Sequence, residues 1–503
     1  MSSPRKRLVT FIAGFVALAC ALVFAQSALG VSVPDKQITK QSVGVQMFMW
    51  PWASLSTECT STLGPEGVDW ILVSPPQEDV KGTQWWTHYQ PVSYKLDSQL
   101  GTEGQFASMV SACNRAGVQV IVDAVINHMA NSAGTGSAGS TFSKYNYPGL
   151  YGSTDFHSGL APTNPNYCTG NITNYDDPTN ATKCELGGLP DLATEKTNVR
   201  STIAGYLNHL IALGVAGFRI DAAKHIGLTD LTVIRAQLNS MNGKAPYFLS
   251  EVVGNPFVNA DYQALGDVFV WAYPAQLQSF FAGGQGFANF LKYRTPALDT
   301  PANSILMVSN HDTEHHGGSL TYNDGKRFLL AHIFALADDA GKPMLYSSYA
   351  FNPLFDGSGP AANSAGNVLP ASCPKNSSGP LIKYTDGKFV CLERWTAIKG
   401  MIQWHHEVAD APITGVGERG GAFWFSRGTG FVAINTSTKA AKLTVKTNLP
   451  AGRYCDVITG GAAAIKPTDG CRGTLVNVLA NHSATVSIPA AGALALDSSN
   501  RTR

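Results

Sequence analysis

Eight short apolar runs rich in β-branched residues recur along the chain, separated by helix-like segments. In order they are VGVQMFMW (43–50), GVDWILVSPP (67–76), GVQVIVDAVINH (117–128), GVAGFRIDAAKH (214–225), PYFLSEVV (246–253), DVFVWAYPAQ (267–276), NSILMVSNHD (303–312) and KPMLYSSYAF (342–351). The intervening stretches are amphipathic: in TEKTNVRSTIAGYLNHLIALG, Ile203, Tyr206, Leu207, Leu210 and Ile211 recur at helical spacing. Any single run could be a buried helix segment. The regular alternation predicts strand followed by helix, hence a parallel sheet. Eight repeats predict an α/β fold closed into a (β/α)8 TIM barrel. A chain of 503 residues has room for that barrel and one smaller domain.

Two regions break the alternation. Residues 129–195 are rich in Gly, Ser, Thr, Asn and Tyr and show no periodicity. A connection of that length predicts an inserted, loop-rich subdomain after strand three with a functional role. After Trp404 the helical signal stops. GAFWFSRGTGFVAINTS, AAKLTVKTNLPAG and HSATVSIPAAGALALD read as short strands with turns, a C-terminal antiparallel β domain. The expected division is a leader over 1–30, a barrel over 31–128 and 196–404, the insertion over 129–195 and a β-sandwich over 405–503.

The N-terminus places Arg5, Lys6 and Arg7 before an apolar stretch from Leu8 to Ala25, with small residues at Ala28 and Gly30. This is the layout of a secretory signal peptide; an uncleaved anchor is the alternative. A secreted, extracellular product without lasting membrane association is expected. Cys20 lies in the leader, and eight cysteines remain. An even number in an exported chain suggests disulfides. Cys168/Cys184, Cys373/Cys391 and Cys455/Cys471 are locally spaced pairs, which leaves Cys59 with Cys113. No C-x-x-C occurs, so a thiolate metal site is not expected. Sequons at Asn171, Asn180, Asn376, Asn435, Asn481 and Asn500 permit glycosylation. Net charge is +1 with 14% charged residues, so no electrostatic footprint for nucleic acid is present.

In a barrel of this kind the active site is built at the C-terminal ends of the strands. Strand three ends in Asp123, Asn127 and His128; strand four in Arg219, Asp221, Lys224 and His225; strand five in Glu251; strand seven in Asn310, His311 and Asp312. Each has a bland reading: a lone Asp after a strand caps a helix, a lone Glu is a salt-bridged wall residue, a lone His is a core residue. Caps do not explain the same pattern at four strand ends. A shared polar pocket does.

DAVINH (123–128), GFRIDAAKH (217–225), the Glu in FLSEVVG (248–254) and VSNHD (308–312) resemble, in order, the four signature regions of the α-amylase family of glycoside hydrolases. WWTHYQPVSYKL (85–96) and GLPDLATEK (188–196) resemble segments of its animal-type members. The resemblance implies a secreted endo-acting enzyme that hydrolyses α-1,4-glucosidic bonds of starch or glycogen with retention. It implies Asp221 as nucleophile, Glu251 as acid and then base, and Asp312 as a third carboxylate holding sugar hydroxyls. Two carboxyls about 5–5.5 Å apart suit such a retaining mechanism. Asp221 is expected to stay ionised beside Arg219, and Glu251 to be held protonated in a drier setting. His128 and His311 match residues at the cleavage point. Trp85, Trp86, Tyr89 and Gln90 match a wall of the cleft, Lys224 and His225 its leaving-group side, and Leu189 its border. Adjacent tryptophans cannot both face one way on a strand, and the match favours Trp86 and Tyr89 as sugar platforms.

The resemblance also implies a structural calcium between barrel and insertion, held by Asn127, Asp191, the backbone carbonyl of His225 and a carbonyl near Thr182. Animal-type members often bind chloride; Arg219 and Asn310 match two of its ligands. Met344 stands where the third, an arginine, is expected, with Lys342 nearby, which puts chloride in doubt. The segment TEHHGGS after Asp312 reads as a Gly-rich loop, with His315 and His316 as exposed loop residues. The expected partner is an α-glucan, with the enzyme a monomer. Related transglycosylating or short-product enzymes share the signature residues. A non-catalytic carbohydrate-binding protein on the same fold would lack a catalytic carboxylate, and all three are present.

Overall fold

A computed structural model describes residues 34–162, 167–254, 256–294, 301–355, 357–375, 378–408 and 410–502. The leader and Asn376 lie outside these residues. All eight expected strands form: β1 (Gly44–Met47), β2 (Trp70–Val73), β3 (Gln119–Ala124), β4 (Gly217–Ile220), β5 (Tyr247–Ser250), β6 (Asp267–Phe269), β7 (Ser304–Met307) and β8 (Lys342–Ser347). They pair in parallel in chain order. β1 closes the ring by lying between β2 and β8, with Gly44 opposite both Trp70 and Met344.

The strands are buried on both faces, which is why they read as unbroken apolar runs. Trp70, Leu72, Ile121, Leu249, Phe269, Ile305, Met307 and Met344 fill the barrel interior. The alternate residues, among them Val45, Val73, Val120, Phe218 and Leu345, meet the surrounding helices. The helix Thr197–Ala212 buries the five residues whose spacing predicted it. Each contributes roughly 1.5–3 kcal/mol of burial. It ends at Gly214, whose φ of 97° is the left-handed stop glycine favours. The chain then turns into β4 through Gly217, where a β-carbon would lie 2.3 Å from the Tyr247 carbonyl oxygen. Helix and glycine together set the height at which Arg219 and Asp221 emerge.

The insertion has little regular structure. A ribbon pairs Gly134–Thr135 with Thr141–Phe142, and short helices span His157–Leu160 and Pro178–Lys183. Tyr147, Tyr151 and Phe156 form its small aromatic core, and Cys168–Cys184 closes a loop within it. The other three expected disulfides, Cys59–Cys113, Cys373–Cys391 and Cys455–Cys471, are also formed. The helix Thr396–Val408 runs one turn past Trp404, so the β region begins at Ile413. A four-stranded and a five-stranded antiparallel sheet then share a core of Phe431, Leu443, Val476, Val486 and Leu494. The outer face of the four-stranded sheet packs on the barrel helices: Phe423 stacks on Phe287 at 4.2 Å, and the Trp404 indole donates to the Leu496 carbonyl at 2.8 Å.

Two sequons are structurally closed. The Asn435 amide donates to the carbonyls of Lys439 and Pro489 from a fully buried strand, and Asn500 is tied to Asp497. Among the described residues no helix is long and apolar enough to cross a membrane.

Candidate active site

The site is organised around one guanidinium. Arg219 and Asp221 are two apart at the end of β4 and so face the same side. β3 runs beside it with Asp123 in register with Arg219. Arg219 Nη1 lies 2.5 Å from Asp123 Oδ1 and 2.7 Å from Asp221 Oδ1, and Nη2 lies 2.8 Å from Glu251 Oε2. Three carboxyls from three strands thus share one buried cation. The turn after Asp221 adds a fourth contact. Ala222 adopts the left-handed conformation (φ 50°, ψ 34°), and its N–H donates to Glu251 Oε2 at 2.7 Å. A side-chain-bearing residue there costs about 1–2 kcal/mol, strain of a kind that collects at functional sites.

Burial governs the protonation of these groups. It pushes Asp123 up to about 7, against the pull of Arg219. It raises Glu251, with Arg219 opposing and Asp221 and Asp312 adding to the rise, which agrees with an acid held protonated. It also raises Asp221, and this corrects the expectation that Arg219 would hold it low. The physical reason is the sharing: desolvation is felt in full by each carboxyl, while one guanidinium is divided among three. Asp312 is raised too, though about a third of its side chain is open to the cleft.

The histidines are neutral donors and acceptors. His311 Nδ1 receives the Gln46 amide at 3.1 Å, so its proton sits on Nε2, 3.4 Å from Asp312 Oδ2. Its ring is stacked between Phe48 (4.8 Å) and Tyr89 (5.1 Å). His128 Nε2 donates to the Tyr89 carbonyl at 2.9 Å. Burial carries His128 down to about 4 and His311 well below the usual imidazole range. The Tyr89 hydroxyl donates to Asp123 at 2.9 Å.

The two tryptophans divide as their adjacency requires. Trp86 is 41% exposed, whereas Trp85 is 7% exposed and stacks on His315 at 5.0 Å. His315 in turn stacks on Phe351 at 3.9 Å. The expected loop after Asp312 is therefore a helix over His311–His316, and His315 is buried; Gly317 and Gly318 follow with positive φ. Gln90, Leu189 and Lys224 are half-buried, and the Gln90 side-chain oxygen accepts from the Asn131 N–H at 3.4 Å.

The residues expected to hold calcium also converge. Asn127 and Asp191 are both 1% exposed, and His128 and Asp191 form a backbone bridge that joins the end of β3 to the insertion. The helix Pro178–Lys183, which carries Thr182, is tied to strand four's end by His225 Nδ1 donating to the Ala181 carbonyl at 2.9 Å. Asp191 Oδ2 is 2.5 Å from His157 Nδ1, but its Oδ1 is buried and has no hydrogen-bond partner among the described residues. A buried carboxylate oxygen left open amid amide and carbonyl oxygens is a fit for a hard cation. Cys373, Cys391 and Glu393 also cluster, but the two sulfurs are joined to each other and offer no thiolate.

Comparison with known proteins bears on this arrangement. The chain matches the α-amylase catalytic-domain family over residues 67–253 and the α-amylase C-terminal all-β domain over 417–499. It is 37% identical to an α-amylase of Tribolium castaneum, over 93% of this chain and 96% of that one. The chain belongs to the α-amylase family of glycoside hydrolases. It is also 34% identical to human α-amylase 2B, over 90% of this chain and 93% of the relative. Among solved structures, α-amylase I of Eisenia fetida, in complex with maltohexaose, superposes with a TM-score of 0.82 at 32% identity, covering 91% of this chain and 97% of that one. The enzyme is thus a glycoside hydrolase acting on starch-type glucan.

Two residues that sequence reasoning left without a role are central to the enzyme's site. Asp123 was visible as a strand-end acid, but only the register of β3 with β4 shows it bonded to Arg219. Gln46, which orients His311, lies in an apolar run with no motif. At the chloride position, Met344 packs inside the barrel, and Lys342 is occupied at the opposite end, with Nζ 2.8 and 2.6 Å from the Asp267 oxygens.

Proposed function

We propose that the enzyme is an exported, monomeric, endo-acting α-amylase that cleaves internal α-1,4-glucosidic bonds with retention. The observation that carries this reading is the pair Asp221 and Glu251, held on the two terminal nitrogens of Arg219. Asp221 attacks the anomeric carbon while Glu251 gives its proton to the departing glucosyl oxygen. The glycosyl–enzyme ester is then opened by a water whose proton returns to Glu251, which frees Asp221. The raised carboxyl of Glu251 is what an acid working near neutrality needs. Arg219 opposes the burial that raises Asp221 and favours the anion that attacks, and Asp123 and Tyr89 fix Arg219 from behind. His128, His311 and Asp312 hold sugar hydroxyls at the cleavage point, Trp86 and Tyr89 offer flat faces to the rings, Lys224 and His225 line the leaving-group side, and Leu189 borders the cleft. The maltohexaose of the Eisenia fetida structure supports a cleft for several glucose units.

Asn127, Asp191 and the carbonyls of Thr182 and His225 would hold calcium, which supplies a structural clamp between barrel and insertion. Chloride is not part of this reading, because the strand that would give its second cation gives Met344 instead. Four disulfides and the leader layout support export. The proposed division is leader 1–30, barrel 31–128 and 196–404, insertion 129–195 and β-sandwich 405–503, with the last helix ending at Val408 and the first β-sandwich strand starting at Ile413. The test is proton NMR of the newly formed reducing ends, with viscosity followed in parallel and chloride varied from zero. Initial α-anomer, early viscosity loss and a rate independent of chloride are expected. Initial β-anomer would exclude the double displacement.

A further inference from the structure

Glu314 is a buried carboxyl that the chemistry above does not use. It sits on the helix His311–His316, one turn beyond the residues that face the cleft. Six residues make too short a helix to stand on backbone bonds alone. Its start is fixed by Asn310, whose side chain accepts from the Thr313 N–H at 2.9 Å while the Thr313 hydroxyl accepts from the Asn310 N–H at 3.0 Å. His311 is clamped between Phe48 and Tyr89, and His315 between Trp85 and Phe351. Two polar ties join the helix to the barrel: at its start Gln46 of β1 donates to His311 Nδ1 at 3.1 Å, and at its far end Glu314 Oε2 accepts from the Ser348 hydroxyl, just past β8, at 2.7 Å.

We propose that Glu314 is a positioning residue. It fastens the far end of this helix to the end of β8 and so holds His311 and Asp312 at the cleavage point. The inference rests on the roles given above to His311 and Asp312.

The surroundings of Glu314 make its charged form costly. Tyr346 and Tyr349 face it from the end of β8 and Tyr322 from the turn Tyr322–Asp324. All three phenols are held up in part by its negative charge. The titratable residues on its own helix are His311, Asp312, His315 and His316. Among the described residues no lysine or arginine pairs with it. Burial pushes its carboxyl up to about 8, with Ser348 and Tyr346 opposing. Below that pH the group is uncharged and the tie is sound. Above it, a buried charge with hydroxyl partners but, among the described residues, no cation beside it favours withdrawal of the helix end.

The test compares wild type, Glu314→Gln and Glu314→Ala. Glutamine keeps the shape and the hydrogen bond but cannot ionise. In Glu314→Gln, kcat at neutral pH should stay within about threefold of wild type while the alkaline fall moves upward in pH. In Glu314→Ala, kcat should fall by roughly 10–100-fold with a smaller change in KM, because the catalytic groups are displaced rather than lost. Infrared spectroscopy gives a readout independent of turnover: the protonated-carboxyl absorption that is lost as pH passes about 8 should be smaller by one carboxyl in Glu314→Gln than in wild type, where Glu393 also contributes. Superimposable pH profiles for wild type and Glu314→Gln would overturn the proposal, as would absence of the band difference. A failure of the underlying site reading shows separately, as wild-type turnover in Asp312→Asn, and leaves the infrared result untouched.

Discussion

A single arginine decides the electrostatics of this site. With 1% of Arg219 exposed and three carboxyls on its fork, removing it leaves several buried acids without a counter-charge. Arg219→Ala is expected to cost about 3–5 kcal/mol of stability in urea unfolding. Arg219→Lys should cost less, because it keeps the charge and loses only the fork. Equal stability of both variants with wild type would mean the acids are already neutral and the pairing is weaker than the geometry implies. Much at this scale was legible in advance. The strand ends grouped Asp221, Glu251, Asp312, His128 and His311 in one polar pocket, and the resemblance to the α-amylase family supplied the role expected of each. The direction of the Asp221 shift could not be read, because sharing of one cation is invisible until the three strands are placed side by side.

Short elements, more than long ones, separate binding from support. Trp85 and Trp86 are neighbours in sequence, yet one is packed between His315 and the barrel and the other is open. Trp85→Ala should therefore destabilise by roughly 3–5 kcal/mol. Trp86→Ala should leave stability within about 0.5 kcal/mol and raise KM for starch several-fold. Thermal unfolding and initial rates distinguish the two; a large stability loss in Trp86→Ala would contradict the assignment. The long helices were predictable from periodicity. The helix His311–His316 was not read, because its histidines and glycines resemble a loop. The available signal was Asn310 followed three residues later by Thr313, the pattern of a reciprocal cap.

The whole molecule was readable where the order is repetitive and opaque where it is not. Eight strand–helix repeats predicted the barrel, and cysteine spacing predicted the four disulfides. The insertion depends on contacts made far along the chain, such as His225 with Ala181, and nothing local announces them. Removing divalent cations with a chelator is expected to lower Tm. A hundredfold excess of calcium over its dissociation constant is worth about 2.7 kcal/mol. In Asp191→Asn that dependence on calcium should be lost, and Tm should no longer respond. A second whole-molecule expectation concerns acid. His332 is fully buried, bonded at Nδ1 to the Phe328 carbonyl, and burial lowers it to about 4. The unfolded chain binds its proton at about 6.5, so the stability this neutral group carries is present above that pH and is lost as pH falls to about 4, by up to roughly 3 kcal/mol. His332→Leu should flatten the urea midpoint between pH 7 and 4.5; an unchanged slope would count against it.

In the proposed mechanism Glu251 is the proton donor working opposite Asp221. The most direct measurement is kcat on soluble starch for Glu251→Gln beside wild type, with thermal unfolding showing that both are folded. A loss of at least 10²–10⁴-fold is expected, about the size of a general acid's contribution, with Tm little changed. A folded Glu251→Gln variant that turns over starch within about tenfold of wild type would contradict it and move the acid to another carboxyl of the cluster.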